Sequence, residues 1–226
     1  VDPSEARPII DYLKNKNINL KYILNTHHHF DHVGGNEELK KKYKSKVICS
    51  EIDKNRIPAA DLGVSEGQVF NFGSISFSII FVPGHTKGHI AFYSKEEKII
   101  FTGDALFSLG CGRIFEGTQK DMYDSLLKIK NLPVETKIFC GHEYTRNNLE
   151  FCFEYEKDST DLEKKKLWII DRINNNLPTL PVTLKEELKT NIFLRCDNPD
   201  IKKKLNMAGS SDQHIFDKLR SLKDEF

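Results

Sequence analysis

The sequence predicts an α/β fold, a layered body of strands and helices, followed by a small α-helical domain. Three observations carry that expectation. Short apolar runs of strand length alternate with helical patterns through residue 144. Four of those runs end in histidine or aspartate, three with glycine immediately before it. Beyond Tyr144, strand patterns give way to helical ones, so the boundary is set at residues 1–144 and 145–226.

With 226 residues and 38% apolar content, the chain suits one large domain or a domain with an appendage. No apolar run approaches the length of a membrane span. The 34 basic and 33 acidic residues give a net charge of +1, which offers no global attraction for nucleic acid or an anionic membrane. The runs Lys40–Lys42, Lys164–Lys166 and Lys202–Lys204 read as solvated helix faces. Five cysteines without close pairs read as reduced thiols, hence a reducing compartment, the cytoplasm. No targeting segment is visible, but the chain begins Val-Asp-Pro without Met, so organelle targeting stays open.

Taken in order, Glu5–Asn15 predicts a helix with Ile9, Ile10 and Leu13 on one face, and Pro8 tolerated near its start. Leu20–Asn25 is a short strand running into Thr26–His32. Asn36–Lys44 follows Gly34-Gly35 as a helix, Lys46–Ser50 is a strand, and Arg56–Gly67 is weakly patterned loop. Val69–Phe72 and Ile75–Val82 form a hairpin around Gly73, and Ile90–Tyr93 with Lys98–Thr102 form another. Met122–Lys130 is a helix and Lys137–Cys140 a strand. In the tail, Leu162, Leu167, Ile170, Ile173 and Leu177 are expected on one helical face. Thr183 with Glu186 predicts a capping box, Asn198-Pro199 a cap with a first-turn proline, and Ser211 a cap for a last helix burying Ile215, Leu219 and Leu222.

Thr26–His32 reads Thr-His-His-His-Phe-Asp-His, four of the eight histidines and a carboxylate within seven residues. His27 and His29 are two apart and point the same way in extended backbone, while Asp31 and His32 come from the adjoining turn. Imidazoles with a carboxylate suit zinc, iron or manganese, and the lack of a nearby cysteine argues against a closed zinc finger. A chance polar loop or a tag is the plain alternative, which the flanking Tyr22-Ile23-Leu24 disfavours. The four strand ends add His85, Asp104 and His142, and rigid strands delivering loop-borne ligands to one rim is how such folds build sites.

Thr-His-His-His-Phe-Asp-His, Pro-Gly-His-Thr, Phe-Thr-Gly-Asp and Cys-Gly-His-Glu-Tyr-Thr, in that order and followed by a helical tail, resemble glyoxalase II. That enzyme family, hydroxyacylglutathione hydrolase, lies in the metallo-β-lactamase superfamily. The resemblance implies a four-layered αββα sandwich with two divalent metal ions on one rim, zinc first and iron or manganese as alternatives. It implies that His27, His29 and His85 hold one ion, that Asp31, His32 and His142 hold the other, and that Asp104 bridges them. His28 and His89 match no ligand position, and His89 is read as orienting its neighbours. The resemblance carries the substrate residues onto Arg113, Tyr144, Asn148, Arg220 and Lys223. Two departures stand out: Phe115 replaces the usual Tyr, and the family's two strands upstream of Val-Asp-Pro are lacking.

The implied substrate is an S-(2-hydroxyacyl)glutathione such as the D-lactoyl thioester, processed by a monomer without nucleic acid or membrane. Asp31 and Asp104 are the implied catalytic carboxylates, as ligand, orienter and bridge. Arg220 and Lys223, three apart on the last helix, share a face and offer two partly exposed cations to the glycine carboxylate of glutathione. The leaving thiolate, from a thiol of pKa near ~8.5, needs no strong general acid. Within the superfamily, a one-iron persulfide dioxygenase, a β-lactamase or a tRNA-processing nuclease are competing expectations. A metal-binding scaffold without turnover is the non-enzymatic one.

Overall fold

The computed structural model describes residues 1–226. The first half runs α1 (Ala6–Lys16), β1 (Tyr22–Leu24), α2 (Phe30–Val33), α3 (Asn36–Tyr43), β2 (Lys46–Ser50) and β3 (Leu62–Val64). Then follow β4 (Val69–Phe72), β5 (Ile75–Phe81), β6 (Ile90–Ser94), β7 (Ile99–Gly103), β8 (Leu106–Phe107), β9 (Gly110–Cys111), α4 (Gln119–Lys130) and β10 (Lys137–Cys140). The remainder is α5 (Thr145–Tyr155), α6 (Thr160–Asn174), β11 (Val182–Thr183), α7 (Leu184–Thr190), a 3₁₀ turn at Ile192–Leu194, α8 (Pro199–Lys204) and α9 (Asp212–Glu225).

Side-chain alternation along the strands builds the layers. β1, β2 and β3 form a parallel sheet, and a six-stranded sheet is ordered β11-β10-β7-β6-β5-β4. Ile23, Val47 and Cys49 face one way and pack with Ala6, Ile10 and Leu39 of α1 and α3. Their neighbours Leu24 and Ile48 face the other way and meet Phe77, Ile79, Ile90 and Phe92 of the second sheet. On that sheet's far side, Ala91, Tyr93 and Ile100 join Met122, Leu126 and Ile129 of α4. The order helix, sheet, sheet, helix is the αββα sandwich, and the fold class expected from the sequence holds.

The last layer continues without a break into the helical part, since the same core takes in Phe151, Phe193, Phe216 and Leu219. The expected caps at Thr183, Asn198 and Ser211 are formed, the first as a reciprocal box with Glu186. Ile215 and Leu219 are fully buried, as expected, with Leu222 packed against the same core. No helix is long and apolar enough to cross a membrane.

Four expectations need correction. The stretch assigned to loop contains β3, which pairs in parallel with β2. Helix α4 begins at Gln119, because Thr118 and Asp121 cap it reciprocally. Strand structure does not end at residue 144, since β11 pairs antiparallel with β10. Finally, α6 buries Leu162, Lys165 and Ile169, while Leu167, Ile170, Ile173 and Leu177 are exposed. Leu162 and Leu167 are five residues apart, about 140° round a helix, so they do not share a face. The aliphatic stem of Lys165 occupies the buried position, with its ammonium over the Trp168 ring and 3.7 Å from Glu186.

Candidate metal centre

The four strand ends converge on one rim. β1 leads into His27 and His29, the β5 exit into His85, β7 into Asp104, and β10 into His142. The single turn of α2 presents Asp31 and His32 beside them, held by Asn25, whose Nδ2 donates to the His32 carbonyl at 2.9 Å. Two glycines make the approach possible. A Cβ on Gly141 would lie 2.3 Å from Asp104 Oδ1, and one on Gly103, whose φ is +48°, would lie 2.2 Å from Thr26 Oγ1.

His27, His29 and His85 form one group, and Asp31, His32 and His142 a second, with potential ligand atoms in each within 4.8 Å of one another. His85 Nε2 lies 3.0 Å from His29 Nδ1, and His32 Nε2 lies 3.1 Å from His142 Nε2. Asp104 stands between the groups. Its Oδ1 is 3.3 Å from His32 Nε2, and its Oδ2 is 3.6 Å from His85 Nε2 and 3.4 Å from His142 Nε2.

The far sides of the rings fix which nitrogen is free. His85 Nδ1 donates to the Arg113 carbonyl at 2.8 Å, which leaves its Nε2 lone pair facing the site. Thr26 Oγ1 donates to Asp2 Oδ2 at 2.7 Å, so it accepts from His27 Nδ1 at 3.0 Å. His27 Nε2 is then buried with no partner. The same Asp2 carboxylate accepts from the Thr26 amide at 2.8 Å and lies 3.2 Å from His32 Nδ1. His89 is fully buried, stacks on His27, and accepts the Asp104 amide at 3.1 Å through Nε2, which is the orienting place expected for it.

These residues fit a metal. Two nitrogens bound at 2.0–2.1 Å around one tetrahedral ion are about 3.3 Å apart, close to the spacings across the site. The His85 Nε2 lone pair facing the site and the buried, unpartnered His27 Nε2 are donor atoms that a cation would satisfy. Burial pushes the His27, His29, His85 and His89 pKa values down, His89 to about 3, so these rings are neutral donors. Burial opposes the Asp104 charge, but the His142 hydrogen bond and neighbouring imidazoles hold that carboxyl below its usual range.

A cavity of about 590 Å³ opens beside this cluster. Its wall includes His29, Asp31, His85, Asp104 and His142 together with all five expected substrate residues, Arg113, Tyr144, Asn148, Arg220 and Lys223. Tyr144 stacks on His142 with ring centres 4.9 Å apart, and Arg113 is largely exposed. Lys223 lies between the Phe151 and Phe226 rings and donates to Asn147. Burial, then the charge of Arg220, brings its pKa down to about 8.

Like Lys223, two more of the five are already engaged by the protein. Asn148 Nδ2 donates to the Ser108 carbonyl at 3.0 Å. Arg220 was expected partly exposed but is 2% exposed. Its Nη1 donates to the Cys111 carbonyl at 2.9 Å and its Nη2 to Asp224 at 2.9 Å, while Nε has no partner. Helix α9 packs against α4 and the 3₁₀ turn, which pulls Arg220 inward under the Cys111–Arg113 segment. Phe115 closes another side, its ring 5.2 Å from His85 and 5.7 Å from His29.

Sequence reasoning missed Asp2, 24 residues before the threonine it serves, and the only local signal was its place in Val-Asp-Pro. It also missed Glu187, a fully buried carboxylate that accepts from the Leu109 amide at 2.7 Å and so steadies the β8–β9 turn on the cavity wall.

Sandwich and rim together define a protein of the metallo-β-lactamase superfamily, a class of divalent-metal folds, and residues 1–142 match its family model. Residues 143–226 match the model described as the hydroxyacylglutathione hydrolase C-terminus. The chain belongs to the hydroxyacylglutathione hydrolase family. It is 52% identical over 226 residues to the "Hydroxyacylglutathione hydrolase" of Pelagibacter ubique (strain HTCC1062), covering all of this chain and 89% of that one. Among solved structures, ETHE1 from Myxococcus xanthus shares the fold with a TM-score of 0.67 at 22% identity, over 98% of this chain and 78% of that one. TTHA1623 in a di-iron-bound form gives 0.61 at 26% identity, over 85% and 87%.

Proposed function

We propose that this chain is a thioester hydrolase that converts S-(2-hydroxyacyl)glutathione, the D-lactoyl thioester first, to glutathione and a 2-hydroxy acid. The observation that carries this reading is the single cavity whose wall combines the histidine–carboxylate rim with Arg113, Tyr144 and Lys223. The rim supplies hydrolytic chemistry, and the cationic and aromatic wall suits an anionic tripeptide. Family membership supports the same substrate.

Two ligand groups with Asp104 between them favour two divalent ions over one, held by His27, His29 and His85 and by Asp31, His32 and His142. Histidine and carboxylate donors suit zinc first, with iron or manganese admissible; the similar TTHA1623 fold was solved with two irons. Bound there, divalent cations supply Lewis acidity toward a carbonyl and acidify water. The protein's own part is placement. Asp2, through Thr26 and beside His32, holds rings of both groups, and His89 holds the Asp104 backbone. Tyr144 and Phe115 flank the reacting end, where Phe115 offers no hydroxyl to the peptide. Residues 1–144 would then carry the chemistry and 145–226 most of the peptide-binding wall. Five free cysteines suit a reducing compartment, consistent with the cytoplasm.

Lys223 provides the test. Its pKa of about 8 means that it is an ammonium below that pH and an amine above it. If it clasps a glutathione carboxylate, kcat/KM for S-D-lactoylglutathione falls as pH rises through about 8, through KM and not kcat. Lys223→Arg stays cationic and is expected to remove that inflection. Steady-state kinetics from pH 6 to 10, with free glutathione as competitor, check it. A pH-independent KM in both proteins, with no competition by glutathione, would remove the peptide from this wall.

A further inference from the structure

The ring between two ligands is held as firmly as the ligands themselves, by groups outside the metal cluster. His28 alternates with His27 and His29 and so points away from the rim. Its Nδ1 is 3.1 Å from Asp53 Oδ2, and Arg56 Nη2 donates to its Nε2. A guanidinium only donates, so Nε2 carries no proton and Nδ1–H donates to Asp53. Arg56 in turn is gripped by both oxygens of Glu116, which also accepts the Lys87 amide at 3.0 Å. Residues 28, 53–56, 87 and 116 are thereby tied together, two residues from His85 on one side and next to Phe115 on the other.

The Arg56–Glu116 pair alone would carry little weight, since exposed ion pairs contribute little. Asp53 is different, because its carboxylate is 0% exposed and its side-chain partners are His28 and Arg56. A buried carboxylate is costly unless bonded. The backbone is also fitted around it: a Cβ on Gly88 would lie 2.3 Å from Asp53 Cγ. From this juxtaposition we infer that Asp53, with Arg56 and Glu116 behind it, is a positioning residue. By locking the His28 ring it fixes the peptide from which His27 and His29 project, and hence the first metal position.

The inference rests on the metal-centre reading above, and its test does not depend on the substrate. Zinc-loaded protein is challenged with a chromogenic chelator and the release rate is followed, alongside kcat and KM for the thioester. Loss of a partner that orients a ligand commonly costs about 10–100-fold in metal affinity or activity. Asp53→Ala is therefore expected to release zinc about ten- to a hundredfold faster, with kcat reduced and KM within about threefold. Asp53→Asn keeps an oxygen acceptor for Nδ1–H and is expected to stay within about threefold of the native rate. Arg56→Ala, on the exposed side of the same ring, should release zinc several-fold faster and decides the matter if Asp53→Ala does not fold. Release at the native rate from folded Asp53→Ala protein overturns the proposal. Equal damage in Asp53→Asn overturns it too, because the hydrogen bond and not the charge is what holds the ring.

Discussion

Asp104→Ala is expected to lower kcat for the glutathione thioester by about three orders of magnitude or more and to strip metal from the protein. The side chain is 8% exposed, and its oxygens reach within 3.3–3.6 Å of His32, His85 and His142. No other group touches both ligand clusters from between them. Alanine would leave a rim of imidazoles with Asp31 as its remaining carboxylate, a poorer partner for divalent charge. A metal's stabilisation of transition-state charge is worth several kcal/mol, and each 1.4 kcal/mol is about a tenfold change in rate. Asp104→Asn keeps the shape and one oxygen donor, so its loss should be smaller. The check is kcat at saturating substrate with metal per chain measured on the same sample. Native kcat with native metal content in Asp104→Ala would exclude a bridging role.

Arg220→Ala should cost stability before it costs affinity. A substrate clasp partly open to solvent could be truncated with KM alone affected, but the Arg220 side chain is 3% exposed. It spends Nη1 on the Cys111 carbonyl and Nη2 on Asp224, and stacks over Phe193. Hydrogen bonds to a charged group contribute about 1.5–3 kcal/mol, and the half-exposed Asp224 can be rehydrated, so the loss should be roughly 3 kcal/mol. For a chain of this length, that lowers Tm by roughly 6–12 °C. KM should rise as well, because the Cys111–Arg113 wall loses its anchor. Calorimetry of Arg220→Ala and Arg220→Lys, with kinetics well below both Tm values, separates the effects. An unchanged Tm with a raised KM would return Arg220 to the role of a pure substrate contact.

The histidine–carboxylate cluster was legible because its information is local. His27, His29, Asp31 and His32 declare themselves within one short stretch, and glycines announce the other strand ends. The groups that aim those ligands were not legible. Asp2, Asp53 and Glu187 reach groups 24, 25 and 78 residues away, and no spacing rule links those pairs. The missed β3 has three residues with Gly63 in the middle, too short for a period and specified by pairing with β2. The α6 face was misread for a different reason. Its apolar residues occupy more than one side, and tertiary packing chose the side that includes Lys165, whose stem is as apolar as a leucine's.

The central claim, thioester hydrolysis at a two-metal rim, is tested most directly by titrating metal-free protein with zinc while following hydrolysis of S-D-lactoylglutathione. The ligand geometry predicts that activity rises until two equivalents are bound per chain and that glutathione and D-lactate are released one for one. Activity saturating at one equivalent, or no thioester hydrolysis in fully loaded protein, would contradict it.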